Sequence, residues 1–343
     1  MDTIQIANIL LTRRCNLRCD YCSIVRDYPD KPKEYPDMSY YKEHELKANQ
    51  WIRILDRLKL NNPDVFVIFY GGEPLLYDDL PEIINHCHKN DINYTIISNN
   101  TEEIQPKILR LVDQVGGKLK GFTASIDPEL ALRIQGLGSK SKIHSIQKTV
   151  AGFENLCKLK TQGIADDVVA EITVTNGNIR WLYDTIKILS KNNIYSSITT
   201  VDLKKSPYYD FSTIDDQSLL VNPNLETRST FFEIMADESL KVHIPQLLLK
   251  LYGILPSRMM CEIYKDLHNV TIDADGSFRL CLRIRGIHLP KLSLDQIFSK
   301  NGKVILPAAK GAIGIDYCEG CKGCNWTCIL MSEYYSKGII DHG

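Results

Sequence analysis

The sequence predicts an alternating α/β fold, a partial (β/α)6 TIM-like barrel followed by a cysteine-rich C-terminal extension. Three observations lead there. Apolar or β-branched runs of strand length recur at 4–12, 65–70, 94–98, 121–126, 167–175 and 194–201. Segments with helical periodicity separate them, and strands that alternate with helices pair in parallel. The 11 cysteines are unevenly spread, with a tight triplet at 15, 19 and 22 and six more between 261 and 328. Six βα units are too few to close a TIM barrel but suit an open one.

Each element has its own signal. The first run, at 4–12, leads directly into the cysteine triplet. Within 39–60, Ala48, Trp51, Ile52, Leu55 and Leu58 are spaced to share one helix face. Val65 to Tyr70 is an unbroken apolar run of strand length. Asp78-Asp79-Leu80-Pro81 starts a helix, with acidic residues and a proline in the first turn. Strands at 94–98 and 121–126 follow, then a helical stretch around Phe153 and Leu156. After the fifth strand, Ile179, Leu182, Ile186 and Leu189 form one face of a helix over 178–191. The sixth strand completes a barrel domain over 1–205. Residues 206–260 read as a bridge, helical from about Thr230 to Tyr252. Two short strands around Asp275-Gly276 form a hairpin. The remainder of 261–343 is a cysteine-rich domain.

Composition removes several function classes. With 44% hydrophobic and 24% charged residues the chain is neither disordered, collagen-like nor a coiled coil. A net charge of −1, with lysine and arginine spread along the chain, indicates no bulk attraction to nucleic acid or to an anionic membrane. No apolar run is long enough to span a bilayer, and the N-terminus lacks the parts of a secretory signal, so a cytoplasmic location is expected.

In a cytoplasmic chain, clustered cysteines favour metal over disulfides. Cys15, Cys19 and Cys22, spaced C-x3-C-x2-C, suit three corners of a [4Fe–4S] cube and leave the fourth iron open. Zinc would prefer a fourth Cys or His, and none lies within the loop. His86-Cys87-His88 is a decoy, because helical neighbours point in different directions; these are solvent-facing or packing residues. Cys157 reads as a small core residue.

The triplet loop resembles the cluster motif of the radical S-adenosylmethionine (radical SAM) enzymes, and the order of motifs over residues 4–205 agrees. The resemblance implies that SAM binds the open iron and is reductively cleaved to a 5′-deoxyadenosyl radical, which abstracts hydrogen from a substrate. It implies an electron donor of flavodoxin or ferredoxin type. Tyr21 takes the position that lies against adenine. Gly71-Gly72-Glu73 after the second strand matches the segment holding the SAM amino group: glycines allow close backbone approach, and a carboxylate can accept from an ammonium. Ser98 and Asn99 end the third strand, followed by Asn100, which tolerates a left-handed backbone where relatives have glycine. Ser125 is carried over as a SAM contact, and Asp127 either shares that role or only starts a turn. Thr173, Thr175 and Asn176 stand near the ribose position, with Asn176 the candidate contact. No catalytic residue is assigned.

Cys261, the hairpin spacing Gly276-x4-Cys281 and the quartet Cys318, Cys321, Cys324, Cys328 resemble the SPASM and twitch extensions, which hold auxiliary [4Fe–4S] clusters. The quartet has x2 where SPASM has x5, and no later cysteine, so one or two auxiliary clusters both remain open. In the two-cluster mapping Cys261, Cys281 and Cys328 share one site and Cys318, Cys321 and Cys324 the other, with Asp341 and His342 candidate extra ligands. The SPASM likeness points first to a peptide or protein substrate, crosslinked, epimerised or oxidised. Oxidation or rearrangement of a small molecule is the alternative, and a non-catalytic iron–sulfur or SAM-binding module the second. Only eight residues precede Ile9, so no N-terminal leader-binding domain is expected.

Overall fold

The computed structural model describes residues 4–17, 19, 22, 24, 42–134, 146–200, 221–244, 249, 254, 269–276, 278–279 and 298–299. The six expected strands are present: β1 (Ile6–Thr12), β2 (Phe66–Gly71), β3 (Asn93–Ser98), β4 (Leu119–Ile126), β5 (Ala165–Val174) and β6 (Tyr195–Thr200). They pair in parallel in sequence order. The sheet continues at both edges. β7 (Val242–His243) adds in parallel to β6, and β8 (Asn269–Ile272) in parallel to β1, giving eight parallel strands. β9 (Phe278–Arg279) lies antiparallel to β8 across the turn at Gly276, whose φ is +81°, so the expected hairpin forms. Its first strand also extends the barrel sheet.

β7 corrects one expectation. Helix was predicted from about Thr230 to Tyr252, but α7 (Leu225–Ala236) ends at Asp237, whose carboxylate accepts from the Ser239 N–H. The chain then reverses, and Val242 packs against the core while its backbone completes the edge of β6. An open strand edge and a β-branched side chain outweighed the helical pattern.

The helices are α1 (Ala48–Asn61), α2 (Leu80–Lys89), α3 (Gln105–Gln114), α4 (Leu130–Ile134), α5 (Ile146–Thr161), α6 (Leu182–Lys191) and α7. In α1 the buried stripe is Ala48, Trp51, Ile54, Leu55 and Leu58, with Ile54 in place of the predicted Ile52. α2 starts as predicted, with Asp79 at its N-cap position and Pro81 in its first turn. In α6, with the short 3₁₀ turn before it, Ile179, Leu182, Ile186 and Leu189 are all buried.

Alternation along the strands separates two faces. Ala7, Ile9, Leu11, Val67, Phe69, Tyr94, Ile96, Phe122, Ala124, Ala170, Ile172, Ile198 and Val270 join the helices in one core. Their neighbours turn to the opposite face, which is helix-free among the described residues. There Ile6, Ile68, Phe66 and Ile97 form a small apolar patch over β1–β3. Polar side chains occupy β4–β7. No helix among the described residues is long and apolar enough to cross a membrane.

Candidate functional site at the C-terminal strand ends

β1 delivers Thr12, Arg13 and Arg14 to the start of the cysteine loop, and both arginines are held by buried carboxylates. Arg13 pairs with Asp273, just after β8, through Nε–Oδ1 at 3.2 Å and a second bond at 2.6 Å. Arg14 pairs with Glu45 at 3.1 and 3.0 Å, and Thr12 also donates to Glu45. Planar guanidinium and carboxylate groups in this two-bond form fix direction as well as distance. The strand end is therefore rigid where Cys15 begins. None of these four charged residues was singled out from the sequence, because their partners are far apart along the chain.

Cys15 is buried, while Cys19 and Cys22 are half-buried, and none is in a disulfide. The Cys22 N–H donates to the Cys19 carbonyl at 3.1 Å, a tight turn. The Cys15 sulfur receives the Leu17 N–H at 3.4 Å and the Asn99 side-chain amide at 3.8 Å. Donors aimed at sulfur favour a thiolate, the form that ligates iron, so this end of the loop fits an iron–sulfur cluster. No three Cys, His, Asp or Glu side chains among the described residues converge as a finished metal site.

Gly71-Gly72-Glu73 lies against this same loop. The Gly72 and Glu73 N–H groups donate to the carbonyls of Thr12 and Arg14, each at 2.7 Å. A Cβ on Gly71 would lie 2.3 Å from the Thr12 oxygen, and one on Gly72 would lie 2.1 Å from the Arg14 oxygen. The close approach these glycines permit is thus to the end of β1. Glu73 is fully buried. Its Oε1 accepts from Ser98 Oγ at 3.0 Å and the Leu75 N–H at 3.2 Å, and its Oε2 from the Asn99 N–H at 2.8 Å. Burial raises its pKa to about 7, against the opposing pull of those three donors. Its carboxylate thus joins the ends of β2 and β3.

Asn99 completes the connection, donating to Asn16 Oδ1 at 2.8 Å as well as to Cys15. Asn100 has φ +49°, as anticipated, and its buried amide donates to the Gly152 carbonyl at 2.8 Å. Its partner Asn155 is a further residue that the sequence did not reveal.

Across β4 and β5 the placement is looser. Ser125 is exposed on the helix-free face. Asp127 accepts from the Glu129 N–H at 2.8 Å, the turn-starting role, and burial raises its pKa to about 6. Asn176 is half-buried; Asn178 instead shapes the end of β5, accepting from the Thr175 N–H at 2.7 Å. Tyr21, Cys261, Cys281, Cys318, Cys321, Cys324, Cys328, Asp341 and His342 lie outside the described residues. The decoy behaves as expected. His86 bonds Asp56, His88 stacks on Tyr94, and Cys87 is buried in the core, where burial pushes its thiol up to about 12.

A sequence profile described as the radical SAM superfamily matches residues 9–208, more than half of the chain. The chain belongs to that superfamily.

Several curated radical SAM relatives and solved structures resemble this superfamily member. PqqA peptide cyclase of Granulibacter bethesdensis is 32% identical over 136 residues, covering 38% of this chain and 32% of that protein. The radical SAM cyclopropyl synthase TigE of Paramaledivibacter caminithermalis is 25% identical over 223 residues, 63% of this chain and 45% of the relative. An S-adenosylmethionine-dependent nucleotide dehydratase of Selenomonas ruminantium is 28% identical over 102 residues, 30% of this chain and 32% of the relative. The matches thus span less than half of each relative. In fold, Streptococcus suis SuiB bound to S-adenosylmethionine superposes with a TM-score of 0.56 at 15% identity, over 84% of this chain and 63% of SuiB. The structure of anSMEcpe with bound AdoMet gives 0.54 at 14%, over 95% and 87%.

Proposed function

We propose that this radical SAM protein cleaves S-adenosylmethionine reductively and removes hydrogen from a peptide or protein substrate. One observation carries the reading. The Cys15 loop, the Gly71–Glu73 segment and the end of β3 form a single hydrogen-bonded unit through Glu73 and Asn99, at the strand ends where parallel βα folds place chemistry.

Cys15, Cys19 and Cys22 would hold a [4Fe–4S] cluster. When bound, the cluster and SAM supply the electron and the 5′-deoxyadenosyl radical. The protein's part is to bind and orient. The segment 71–73 would hold the SAM amino group through backbone carbonyls, since the Glu73 carboxylate is already engaged. Tyr21, Ser98, Asn99, Ser125 and Asn176 would supply contacts to the rest of SAM. Arg13 and Arg14 keep the loop's base fixed, and an electron donor of flavodoxin or ferredoxin type supplies the reductant. The six cysteines from Cys261 to Cys328 would ligate one or two auxiliary clusters.

The name of PqqA peptide cyclase supports the peptide reading. That of the nucleotide dehydratase supports a second reading, a small-molecule substrate. Anaerobically reconstituted protein with SAM and dithionite should release 5′-deoxyadenosine, and a Cys15→Ala variant should not. Equal yields from both proteins would overturn the proposal.

A further inference from the structure

The helix-free face carries a row of polar side chains that begins at Ser125, a proposed SAM contact, and continues beyond the SAM-handling unit. In register across four strands stand Ser125 on β4, Glu171 on β5, Ser197 on β6 and His243 on β7. Their sequence neighbours Ala124, Ile126, Ala170, Ile172 and Ile198 enter the helix-side core, so the row faces away from the helices. Glu171 is the unusual member. It is 8% exposed, yet no hydrogen bond or ion pair to its carboxylate occurs among the described residues. This contrasts with Glu73, Glu45 and Asp273, whose buried carboxylates are each met by donors.

A buried carboxylate without a donor is costly, and the cost falls when a ligand brings the donor. We propose that Glu171 anchors a substrate subsite for a cationic, N–H-rich group, a guanidinium or a primary ammonium. Ser197 flanks it with a hydroxyl that can accept a further N–H bond, and Ser125 on the other side sets the subsite next to SAM. Across β4 to β7 the other titratable groups on this face are His243 in the same row and, nearer the N-terminal strand ends, Asp167 and Tyr195, while Tyr70 stands on it farther off, on β2. None of these is a permanent cation, so among the described residues of β4 to β7 no fixed positive charge faces Glu171, and the ligand brings it. Burial also raises the Glu171 pKa to about 7, as expected for a carboxyl group awaiting a counter-charge. The assignment rests on the proposed function in placing substrate on this face, and it names the part of the substrate that enters.

The test uses the full chain labelled with carboxyl-¹³C glutamate, near pH 8. The Glu171 line is identified by its loss in Glu171→Gln and, separately, in Glu171→Asp, neither of which carries the label at 171, so the assignment survives if one variant fails to fold. Ethylguanidinium and ethylammonium are the probes, with acetamide and acetate as controls. Either cation should move the line with saturation, at a concentration at least ~tenfold below that needed for acetamide or acetate. A line unmoved by both cations, or moved equally by acetamide or acetate, would overturn the subsite. Release of 5′-deoxyadenosine is measured separately. Cation binding without it would count against the proposed radical chemistry and leave the subsite standing, and the converse result would do the reverse.

Discussion

Replacing Glu171 by Gln should make this protein more stable at alkaline pH. The carboxylate is buried with no described donor, and burial alone raises its pKa from 4.5 to about 7. The sign follows from proton linkage. Between those two values the folded state holds a proton that the unfolded state has released, so stability falls as pH rises through the window. Above about pH 7 the loss is complete, and at ~1.4 kcal/mol per pKa unit it amounts to about 3 kcal/mol. Glutamine has nearly the same shape and never ionises. Near pH 8 the variant should therefore gain about 3 kcal/mol, and near pH 5 less than about 1 kcal/mol. With an unfolding entropy of about 2 cal/mol/K per residue over 343 residues, the gain near pH 8 corresponds to a Tm rise of about 4 °C. Thermal unfolding of both proteins at the two pH values is the assay. An equal shift at both, or a variant less stable near pH 8, would refute the reasoning, since either result means that the carboxylate has a donor. A stabilised variant that no longer binds the cationic probe would show stability given up for function.

Other substitutions should act through the strand-end unit. Glu73→Gln should lack the alkaline gain of Glu171→Gln: it removes a charge with the same raised pKa, but its new NH₂ meets a donor at a cost of about 1–3 kcal/mol, so denaturant titration near pH 8 should show little net change. Asp273→Ala strands the buried Arg13 guanidinium and should cost about 3–5 kcal/mol, with Arg13→Met in the same chain restoring much of it. A double-mutant cycle without coupling would count against that pair as the anchor of β1. Gly72→Ala should yield little folded protein, because its Cβ would meet the Arg14 carbonyl at 2.1 Å; normal yield with normal Tm would show that the strand end can yield. The triple replacement of Cys15, Cys19 and Cys22 by Ala should abolish 5′-deoxyadenosine release, and retained release would remove the triplet from the chemistry.

The sequence by itself determined a good deal. Six strands were legible because each buried strand is a short apolar run, and periodicity needs only neighbouring residues. The C-x3-C-x2-C loop and Gly-Gly-Glu were legible for the same reason: their chemistry lies within a few consecutive residues. Tertiary structure decided the rest. β7 and β8 exist because β6 and β1 offered open edges, and an edge is invisible to the segment that will pair with it. Glycines 71 and 72 looked like room for a ligand; the chain that needs the room is β1, nearly 60 residues earlier. Glu73 looked like a ligand-facing carboxylate, but the ends of β2 and β3 enclose it with their own donors. Glu171 carried no signal at all, one of three acids in a strand otherwise mostly apolar. Only the register of β4 to β7 places it in a polar row, and only burial leaves its charge without a partner. A local pattern fixes which elements form, whereas the surroundings of a charged group depend on which distant segments fold against it.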